Sequence, residues 1–257
     1  MRVAVGNQKG GVGKSTTAIH LAGALNVRDA SVLLVDLDPQ GHLSEAVGFG
    51  SEYDTDADVN LASALTGDTS ASDLIREHDE FDVLPSHVDM LGVEDDLSNV
   101  RRREERLSML FDDLDTSRWN VILIDCPPNL GHLTDNALLA SGHVVIPSEA
   151  RKTSIRALEL LFDEIDVLED VFNTSIQELA LVANDVDYPL DGEQKEMLQW
   201  FEDTVGGAMP IIEVRQRVAL QRAMNHGGSI FAYDESCDME DAYLELADVV
   251  LDARRDA

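Results

Sequence analysis

The segment from residue 7 to residue 16 constrains the fold of this chain more than any other. It reads Asn-Gln-Lys-Gly-Gly-Val-Gly-Lys-Ser-Thr, and its glycines are Gly10, Gly11 and Gly13. Residues 3–5 before it are apolar and predict a short buried strand, whereas residues 17–25 after it have the apolar spacing of a helix. A strand that leads through a glycine-rich loop into a helix is typical of the first unit of an α/β fold.

The loop in this unit has the composition of a phosphate-binding site. Its glycines allow backbone N–H groups to surround an anion, and the helix that follows points its positive end at the same place. Lys14 adds a mobile charge for the β- and γ-phosphates of a nucleoside triphosphate, and Ser15 offers a hydroxyl oxygen to Mg²⁺. The general pattern of such loops has glycine where this chain has Gln8, and Lys9 is an extra lysine. The sequence therefore predicts a variant nucleotide-binding loop.

Buried strands and helices alternate along the rest of the chain. Apolar runs predict further strands at residues 32–35, 81–85, 121–124, 143–147 and 179–184. Helical spacing is found at residues 91–114, 155–168, 193–204 and 239–255, and the acidic residues 49–60 are turn-like. Near-continuous apolar strands are typical of a parallel sheet that is covered on both faces. We therefore expect a single α/β domain over residues 1–257, with a mostly parallel central sheet, helices on both faces and the P-loop NTPase type of fold.

Two of the predicted strands end in carboxylates. Asp36 and Asp38 follow one strand, and Asp125 follows another. Ligand sites of α/β sheets lie at the carboxyl ends of the strands, so these side chains are expected near the nucleotide. Asp125 is placed to hold Mg²⁺ through a water molecule. Asp36 and Asp38 share one face of an extended segment, where one could serve the metal and the other the attacking water. Capping or turn formation before Pro39 is the alternative for either of them.

The chain is strongly acidic. Its net charge is −31 and its pI is near 4.2, and its only lysines are Lys9, Lys14, Lys152 and Lys195. Such acidity indicates a disordered acidic tail, a cationic partner or adaptation to concentrated salt, where short screening lengths weaken self-repulsion. The acidic residues are spread along the whole chain and 44% of residues are hydrophobic, which favours salt adaptation over the other two interpretations.

Several classes of protein are not indicated by the sequence. Cys126 and Cys237 are far apart and have no C-x-x-C spacing, so we expect neither a disulfide framework nor a zinc or iron–sulfur site. The histidines show no metal-binding pair with a third ligand. No signal-peptide pattern is found, and no apolar run is long enough to span a membrane. We therefore expect a cytoplasmic protein with no membrane partner.

Three motifs together resemble a known family. They lie at residues 9–16, 35–41 and 124–128 and read KGGVGKST, VDLDPQG and IDCPP. In this order and spacing they are similar to the ParA/Soj branch of the deviant Walker A P-loop ATPases, which also includes MinD. Weaker likeness at residues 84–86 and 133–138 extends the resemblance over nearly the whole chain.

The resemblance implies an ATPase that uses ATP and Mg²⁺ and forms a homodimer when ATP binds. It implies that Lys9 reaches the phosphates of the other subunit, that Lys14 binds phosphate in its own subunit and that Asp38 orients the hydrolytic water. The implied metal site consists of Ser15, Asp36 and, through a water molecule, Asp125. The implied nucleotide contacts, of which the last two lie beside adenine, are Lys9, Gly10, Gly11, Val12, Gly13, Lys14, Ser15, Thr16, Asn184 and Pro210.

The resemblance also implies non-specific DNA binding and a ParB-like activator protein. The activator stimulates hydrolysis and so releases the DNA, which implies a nucleoid-associated protein. Candidate DNA contacts are Arg215, Arg217 and Arg222, for which ordinary surface arginines are the alternative. DNA affinity falls steeply with salt, so a chain with a net charge of −31 needs a patch that is locally strong.

Two other functions stay open at this point. A MinD-like membrane-positioning ATPase requires a basic amphipathic C-terminal helix, but residues 243–252 have an acidic polar face that anionic lipid repels. A metabolic ATP-dependent ligase with a related loop does not need Lys9 to act across a dimer. Turnover of a small-molecule acceptor would favour the ligase, and ATP-dependent retention of DNA would favour partition.

Salt adaptation predicts a protein that is more stable in concentrated salt. We expect the thermal unfolding midpoint, followed by circular dichroism, to rise when KCl is raised from about 0.1 M to about 1 M, because the Debye length falls from about 10 Å to about 3 Å. A midpoint that does not change with KCl, in a protein that is folded and active at low salt, would contradict the hypothesis.

Overall fold

The apolar runs of the sequence form the strands of a central sheet. The computed structural model describes residues 1–67, 69–233 and 237–256. Within these residues the sheet has eight strands in the order β3-β4-β2-β5-β1-β6-β7-β8. The strands are β1 Arg2–Val5, β2 Val32–Asp36, β3 Arg76–Glu77, β4 Asp82–Leu84, β5 Val121–Asp125, β6 His143–Glu149, β7 Gln177–Val186 and β8 Ile211–Arg215.

Most neighbouring strands of this sheet run parallel, and the short edge strand β3 alone among the described strands pairs antiparallel, with β4. Every residue of β2 and β5 is buried, as expected for strands covered on both faces. Register places Val5 and Asp36 level with Asp125 on the strand between them. The carboxyl ends of β1, β2 and β5 therefore meet at one point of the sheet edge.

Helices cover both faces of the sheet. They are α1 Lys14–Val27, α2 His42–Ala46, α3 Gly50–Tyr53, α4 Leu61–Thr66, α5 Met90–Leu97, α6 Arg106–Asp112, α7 His132–Ser141, α8 Ile155–Phe172, α9 Gly192–Val205, α10 Val218–Asn225 and α11 Glu240–Asp256. One apolar core contains side chains of α4 to α9, and the other contains those of α1, α10 and α11. The predicted α/β class, with a mostly parallel sheet between two helical layers, is confirmed.

Helix α11 shows how the second of these cores is closed. Tyr243, Leu246, Ala247 and Val250 follow the spacing of one helical face and are fully buried. They pack with Ile19 and other apolar residues of α1 in the same core. Complete burial of a large apolar side chain contributes about 1.5–3 kcal/mol, so this face anchors α11 to the domain.

Several local expectations differ from the structure. Residues 49–60, expected to be a turn, contain α3, and the helical pattern at 91–114 forms two helices, α5 and α6, separated by a short 3₁₀ turn. The break coincides with Arg102, whose φ of 55° is left-handed and interrupts a helix. Strand β8 begins at residue 211, where the sequence pattern predicted no strand. Strand β3 has only two residues, and buried residues alternate with less buried ones along β8. Both patterns are weaker sequence signals of a strand than a continuous apolar run.

Among the described residues no helix has both the length and the apolar character that crossing a membrane requires.

Candidate nucleotide-binding site

The glycine-rich loop lies between β1 and α1, at the carboxyl edge of the sheet. Gly11 and Gly13 have φ angles of 77° and 86°, in the left-handed region that favours glycine. A Cβ atom on Gly13 would also lie only 2.8 Å from Asn184 Nδ2. Backbone conformation and space thus both require glycine at position 13. Gly13 is the N-cap of α1, and because no side chain caps this helix, its N-terminus faces the loop.

Two asparagines fix this loop from either side. The buried Asn7 donates from Nδ2 to the Pro147 carbonyl (2.7 Å) and accepts from the Lys9 N–H (3.0 Å). Asn184 on β7 donates to the Val12 carbonyl (2.8 Å) and to Thr17 Oγ1 (3.2 Å). Asn184 was expected beside adenine. The structure brings it to the loop, where its amide group positions the loop backbone.

The Lys14 side chain is buried beneath the loop. It is 7% exposed, and its Nζ donates to the Lys9 carbonyl (3.1 Å). Burial lowers the pKa of Lys14, while the nearby carboxylates of Asp125 and Asp38 act in the opposite direction. Lys14 is therefore held among acidic groups, directly under the turn where a phosphate would lie.

Asp36 and Asp125 form a buried pair of carboxyl groups beside Lys14. Asp36 Oδ2 accepts from the N–H (2.8 Å) and the hydroxyl (2.6 Å) of Ser44, but Asp36 Oδ1 and both oxygens of Asp125 make no hydrogen bond of ordinary geometry among the described residues, and the Ser15 hydroxyl is only near enough to Asp125 to lower its pKa in part. Burial raises the pKa of Asp36 to about 6. Burial, and then the charge of Asp36, raise the pKa of Asp125 well above its ordinary value. Buried oxygens without partners are costly, so this pair is suited to a cation or its bound water.

Asp38 lies next to this pair and is only 6% exposed. Its Oδ1 accepts from the Gln40 N–H (2.9 Å), and its carbonyl oxygen accepts from Ser86 Oγ (2.8 Å). Asp38 thus also stabilises the turn before Gln40, which was the alternative to a role at the nucleotide, but it uses only one carboxylate oxygen to do so. Ser44 and Ser86, to which the sequence assigned no role, complete the network, because the Ser86 N–H donates to Ser44 Oγ (2.9 Å).

The donor set agrees with Mg²⁺ bound mainly by nucleotide and water. No group of three or more histidine, cysteine, aspartate or glutamate side chains that could hold a metal exists within residues 1–67, 69–233 and 237–256. Ser15, in the first turn of α1, offers one hydroxyl oxygen, and the unpartnered oxygens of Asp36 and Asp125 can accept from metal-bound water. Mg²⁺ usually keeps several waters in such sites, so the residues present fit the ion.

Lys9 is held within its own subunit. Its ammonium group contacts Glu149 Oε2 (2.5 Å), Thr153 Oγ1 (2.9 Å) and Ser154 Oγ (3.4 Å). The side chains of Lys9 and Glu149 are 25% and 22% exposed. Glu149 ends β6 and was not among the predicted site residues, since nothing in the local sequence shows that β6 lies beside the loop.

A cavity of about 610 Å³ opens beside the loop. Its lining includes Thr16 and Asn184 on one side and residues 214–218, after β8, on the other. Pro210 lies before β8, at the opposite edge of the sheet, where its carbonyl accepts from the Leu181 N–H (3.0 Å). The structure therefore separates Pro210 from the loop, because a parallel strand carries the chain across the whole sheet between them.

The three candidate DNA contacts are also placed differently from one another. Arg215 and Arg217 line this cavity, whereas Arg222 is exposed on α10 and is not part of its lining. Arg217 makes two hydrogen bonds to Asp238 (2.7 and 2.6 Å), and Arg215 Nη1 lies 3.7 Å from the same carboxylate. Two of the three arginines thus line the cavity beside the loop and share one acidic partner.

Comparison with known proteins shows the family of this chain. A family model described as an AAA domain matches residues 1–178. The chain is 32% identical to the sporulation initiation inhibitor protein Soj of Bacillus subtilis, over 95% of this chain and 96% of Soj. It is 35% identical to the chromosome partitioning protein ParA of Caulobacter vibrioides, over 99% of this chain and 95% of ParA. The chain belongs to the ParA/Soj family of P-loop ATPases.

The resemblance predicted from the three motifs is therefore confirmed. A solved structure similar to this member of the ParA/Soj family is named cobyrinic acid a,c-diamide synthase from Mycobacterium smegmatis, with a bound ATP analogue and magnesium. Its TM-score is 0.81 at 28% identity, over 99% of this chain and 95% of that chain. Both the family and this structural neighbour agree with the use of ATP and Mg²⁺.

The raised pKa of Asp36 predicts a pH-dependent effect of Asp36→Asn. A carboxyl whose folded pKa (about 6) exceeds its ordinary value (3.8) favours folding when protonated and disfavours it once ionised. The variant should therefore gain stability over the wild type as pH rises from about 4 to above 6, by up to about 3 kcal/mol. Denaturant unfolding between these pH values, without nucleotide or divalent cation, measures the difference.

Asp248→Asn is the matched control. Arg28 lowers the pKa of this exposed carboxyl, so its removal should give no gain at neutral pH. If the difference between Asp36→Asn and the wild type does not vary with pH, the buried charge at Asp36 is not the cause.

Proposed function

We propose that this chain is a ParA-like ATPase that positions or partitions DNA. It binds Mg-ATP, dimerises, binds DNA without sequence preference and is released when a ParB-like partner stimulates hydrolysis of ATP to ADP and phosphate. The observation that carries the proposal is the position of Lys9, which lies outside the phosphate-binding turn and is held by a breakable ion pair with Glu149. The kinship with Soj and ParA over nearly the whole chain supports it.

The phosphates are bound mainly by the loop backbone in this proposal. Residues 10–13 supply N–H groups, Thr16 lies at the start of α1, and Lys14 neutralises charge from below. Ser15 would hold Mg²⁺ directly and Asp125, supported by Asp36, would hold a water bound to it; the ion would supply positive charge beside the phosphates. Phosphoryl transfer requires mostly such positioning and charge neutralisation from a protein.

Asp38 orients the attacking water. Its position agrees with this role because it is nearly buried, adjoins Asp36 and has one oxygen fixed by the Gln40 N–H. A carboxylate held by a turn keeps its orientation at no cost when the substrate arrives. Ser86 and Ser44 tie the same segment to α2 and to the loop after β4, which keeps Asp38 in place.

Lys9 connects nucleotide state to dimerisation. To reach the phosphates of a second subunit, Lys9 must leave Glu149, Thr153 and Ser154. Contacts within the subunit and contacts across the dimer therefore compete for the same ammonium group. A lysine supplied by the partner makes charge neutralisation depend on the dimer. Loss of the γ-phosphate removes its target, and hydrolysis therefore sets the lifetime of the dimer.

DNA binding and the ParB-like partner follow from kinship with Soj and ParA. A net charge of −31 opposes general DNA binding, and Asp238 neutralises part of the charge of Arg215 and Arg217. DNA binding is therefore proposed for the dimer, in which two copies of the same surface act together. The protein would then act in the cytoplasm, on the nucleoid.

A metabolic ATP-dependent ligase is the second candidate. It is favoured by one observation, the similarity to a structure that is named cobyrinic acid a,c-diamide synthase. Such an enzyme would consume ATP in proportion to a small acid acceptor and would not need Lys9 across a dimer. Acceptor-dependent release of phosphate, unaffected by Lys9→Ala, would establish it in place of partition.

The membrane-positioning alternative is not supported by the fold. The apolar face of α11 is occupied by the core, and its exposed positions include Asp241, Glu245 and Asp248. Insertion of α11 into a lipid surface would require it to leave α1, and its acidic face would still be repelled by anionic headgroups.

Two lysine variants separate binding from dimerisation. Lys14→Ala should abolish binding of Mg-ATP, because the loop loses its only buried cation within the described residues. Lys9→Ala should retain nucleotide binding but lose the ATP-dependent dimer, because it removes only the group that acts across subunits. Lys152→Ala removes a surface lysine that pairs with Glu196 and should change neither property. Calorimetry and light scattering measure the two properties separately.

Sizing the protein in high salt with ATP, with ADP and with no nucleotide tests the whole proposal. An ATP-only dimer that retains non-specific DNA is the expected result. A protein that stays monomeric with ATP, or an unchanged dimer in Lys9→Ala, would rule out the role of Lys9 across subunits.

A further inference from the structure

One peptide group connects the Tyr53 side chain to the carboxylate of Asp38. The Tyr53 hydroxyl donates to the Pro39 carbonyl (2.6 Å), and the Gln40 N–H donates to Asp38 Oδ1 (2.9 Å). The Pro39 carbonyl and the Gln40 N–H belong to the same peptide group, which is planar and rigid. Tyr53 therefore holds one side of a plane whose other side holds the Asp38 carboxylate. A rotation of this plane would move the donor on which the carboxylate is oriented.

The Tyr53 ring also packs on the turn that contains this peptide group. The turn covers residues 38–41 and is closed by the Gly41 N–H, which donates to the Asp38 carbonyl (3.0 Å). Gly41 has a φ of 66°, in the region that favours glycine. A Cβ atom on Gly41 would lie only 2.5 Å from Tyr53 Cδ2, so the ring is in direct contact with this end of the turn. Tyr53 thus fixes the turn at two points, by its hydroxyl and by its ring.

Tyr53 is itself tied to the segment that follows β4. It is the last residue of α3, and its carbonyl accepts from the Val88 N–H (2.9 Å), two residues after Ser86. Burial raises the pKa of Tyr53, and the charges of Asp36 and Asp38 raise it further. The hydroxyl therefore stays protonated and can donate its one hydrogen to the turn.

We propose that Tyr53 is a positioning residue for ATP hydrolysis, which acts on the Asp38 carboxylate through the peptide group between Pro39 and Gln40. The proposal rests on the proposed function, in which Asp38 orients the attacking water, and adds the side chain that orients Asp38. Tyr53 lies in the acidic segment 49–60, outside the three sequence motifs. Orientation of the water matters for hydrolysis and not for phosphate binding, so the Tyr53 hydroxyl should affect the rate and not the affinity.

Tyr53→Phe tests the proposal, because it removes the hydroxyl and keeps the ring against Gly41. We expect kcat for ATP hydrolysis to fall about tenfold, since a small displacement of a catalytic group lowers the rate strongly. KM for ATP and the affinity for Mg-ADP should stay those of the wild type. Phosphate release at saturating ATP in high salt measures kcat, and calorimetry with ADP measures the affinity.

Tyr233→Phe is the matched control. The Tyr233 ring centre lies 4.8 Å from that of His226, in a cavity that includes His78 and Glu80. His78 and Glu80 precede β4 and Ser86 follows it, so Tyr233 lies at the opposite end of this strand from the Asp38 turn. Loss of the Tyr233 hydroxyl should change neither kcat nor affinity. Thermal unfolding without nucleotide shows whether each variant is folded.

Combination with Asp38→Ala shows whether Tyr53 acts through Asp38. Asp38→Ala alone should lower kcat by more than Tyr53→Phe does, because the attacking water loses the carboxylate that orients it. In the double variant, removal of the Tyr53 hydroxyl should cause no further loss, since the effects of residues that act as one unit are not additive. Single-turnover hydrolysis followed over hours measures the slow rates of these variants.

Two results would overturn the proposal. An unchanged kcat in Tyr53→Phe, together with an impaired Asp38→Ala, would mean that the turn orients Asp38 without the hydroxyl. A further loss in the double variant as large as that in Tyr53→Phe alone, or a loss of ADP affinity that matches the loss of kcat, would mean that Tyr53 only supports the fold. A wild type that does not hydrolyse ATP, or a fully active Asp38→Ala, would instead overturn the proposed function, so the failures are distinguishable.

Discussion

The parallel register of β1, β5 and β2 is the constraint on which the rest of the site depends. It sets Val5, Asp125 and Asp36 level, so the loop that leaves β1 begins beside two carboxylates. The same burial that packs these strands removes water from the carboxylates and raises their pKa values. Lys14 then enters from α1 as the nearby cation. The presence of buried carboxyl oxygens beside the loop is therefore a consequence of core packing.

Local and overall charge have opposite signs in this protein. The chain carries −31 overall, yet Lys9 and Lys14 both lie in the loop, which also has the positive end of α1. Salt screens the repulsion between distant surface acids and an anionic ligand within about 3 Å at 1 M. Contacts inside the loop are shorter and partly buried, so they are screened much less. An acidic surface and a phosphate site are thus compatible, most of all in concentrated salt.

The sequence was sufficient for those parts of the site that are contiguous in the chain. The meeting of the loop, Asp36 and Asp125 at one edge of the sheet was predictable, because a glycine pattern and two strand ends are visible within a few residues of sequence. Pairings between distant segments were not predictable in this way. Whether β6 or β8 borders the loop depends on strand order, and so Glu149 went unnoticed.

The misplacement of Pro210 has the same origin. Pro210 precedes the five-residue strand β8 and Arg215 is the last residue of that strand, so the two lie at opposite ends of it. The structure therefore places Pro210 one strand length away from the residues of β8 that border the cavity. For Arg215 and Arg217 the sequence showed a cluster of positive charge. It did not show that both side chains line the cavity beside the loop.

The ion pair between Lys9 and Glu149 suits a switch because it is weak enough to break. Both side chains are about one-quarter exposed, and ion pairs that contact water contribute roughly 1 kcal/mol or less. A triphosphate on a second subunit offers Lys9 more negative charge than one carboxylate does, so under the proposed function the exchange is favourable only when the γ-phosphate is present. Glu149 meanwhile holds the Lys9 ammonium beside Thr153 and Ser154. A stronger or fully buried ion pair would hold Lys9 permanently. Without any ion pair, the Lys9 side chain would have no fixed conformation.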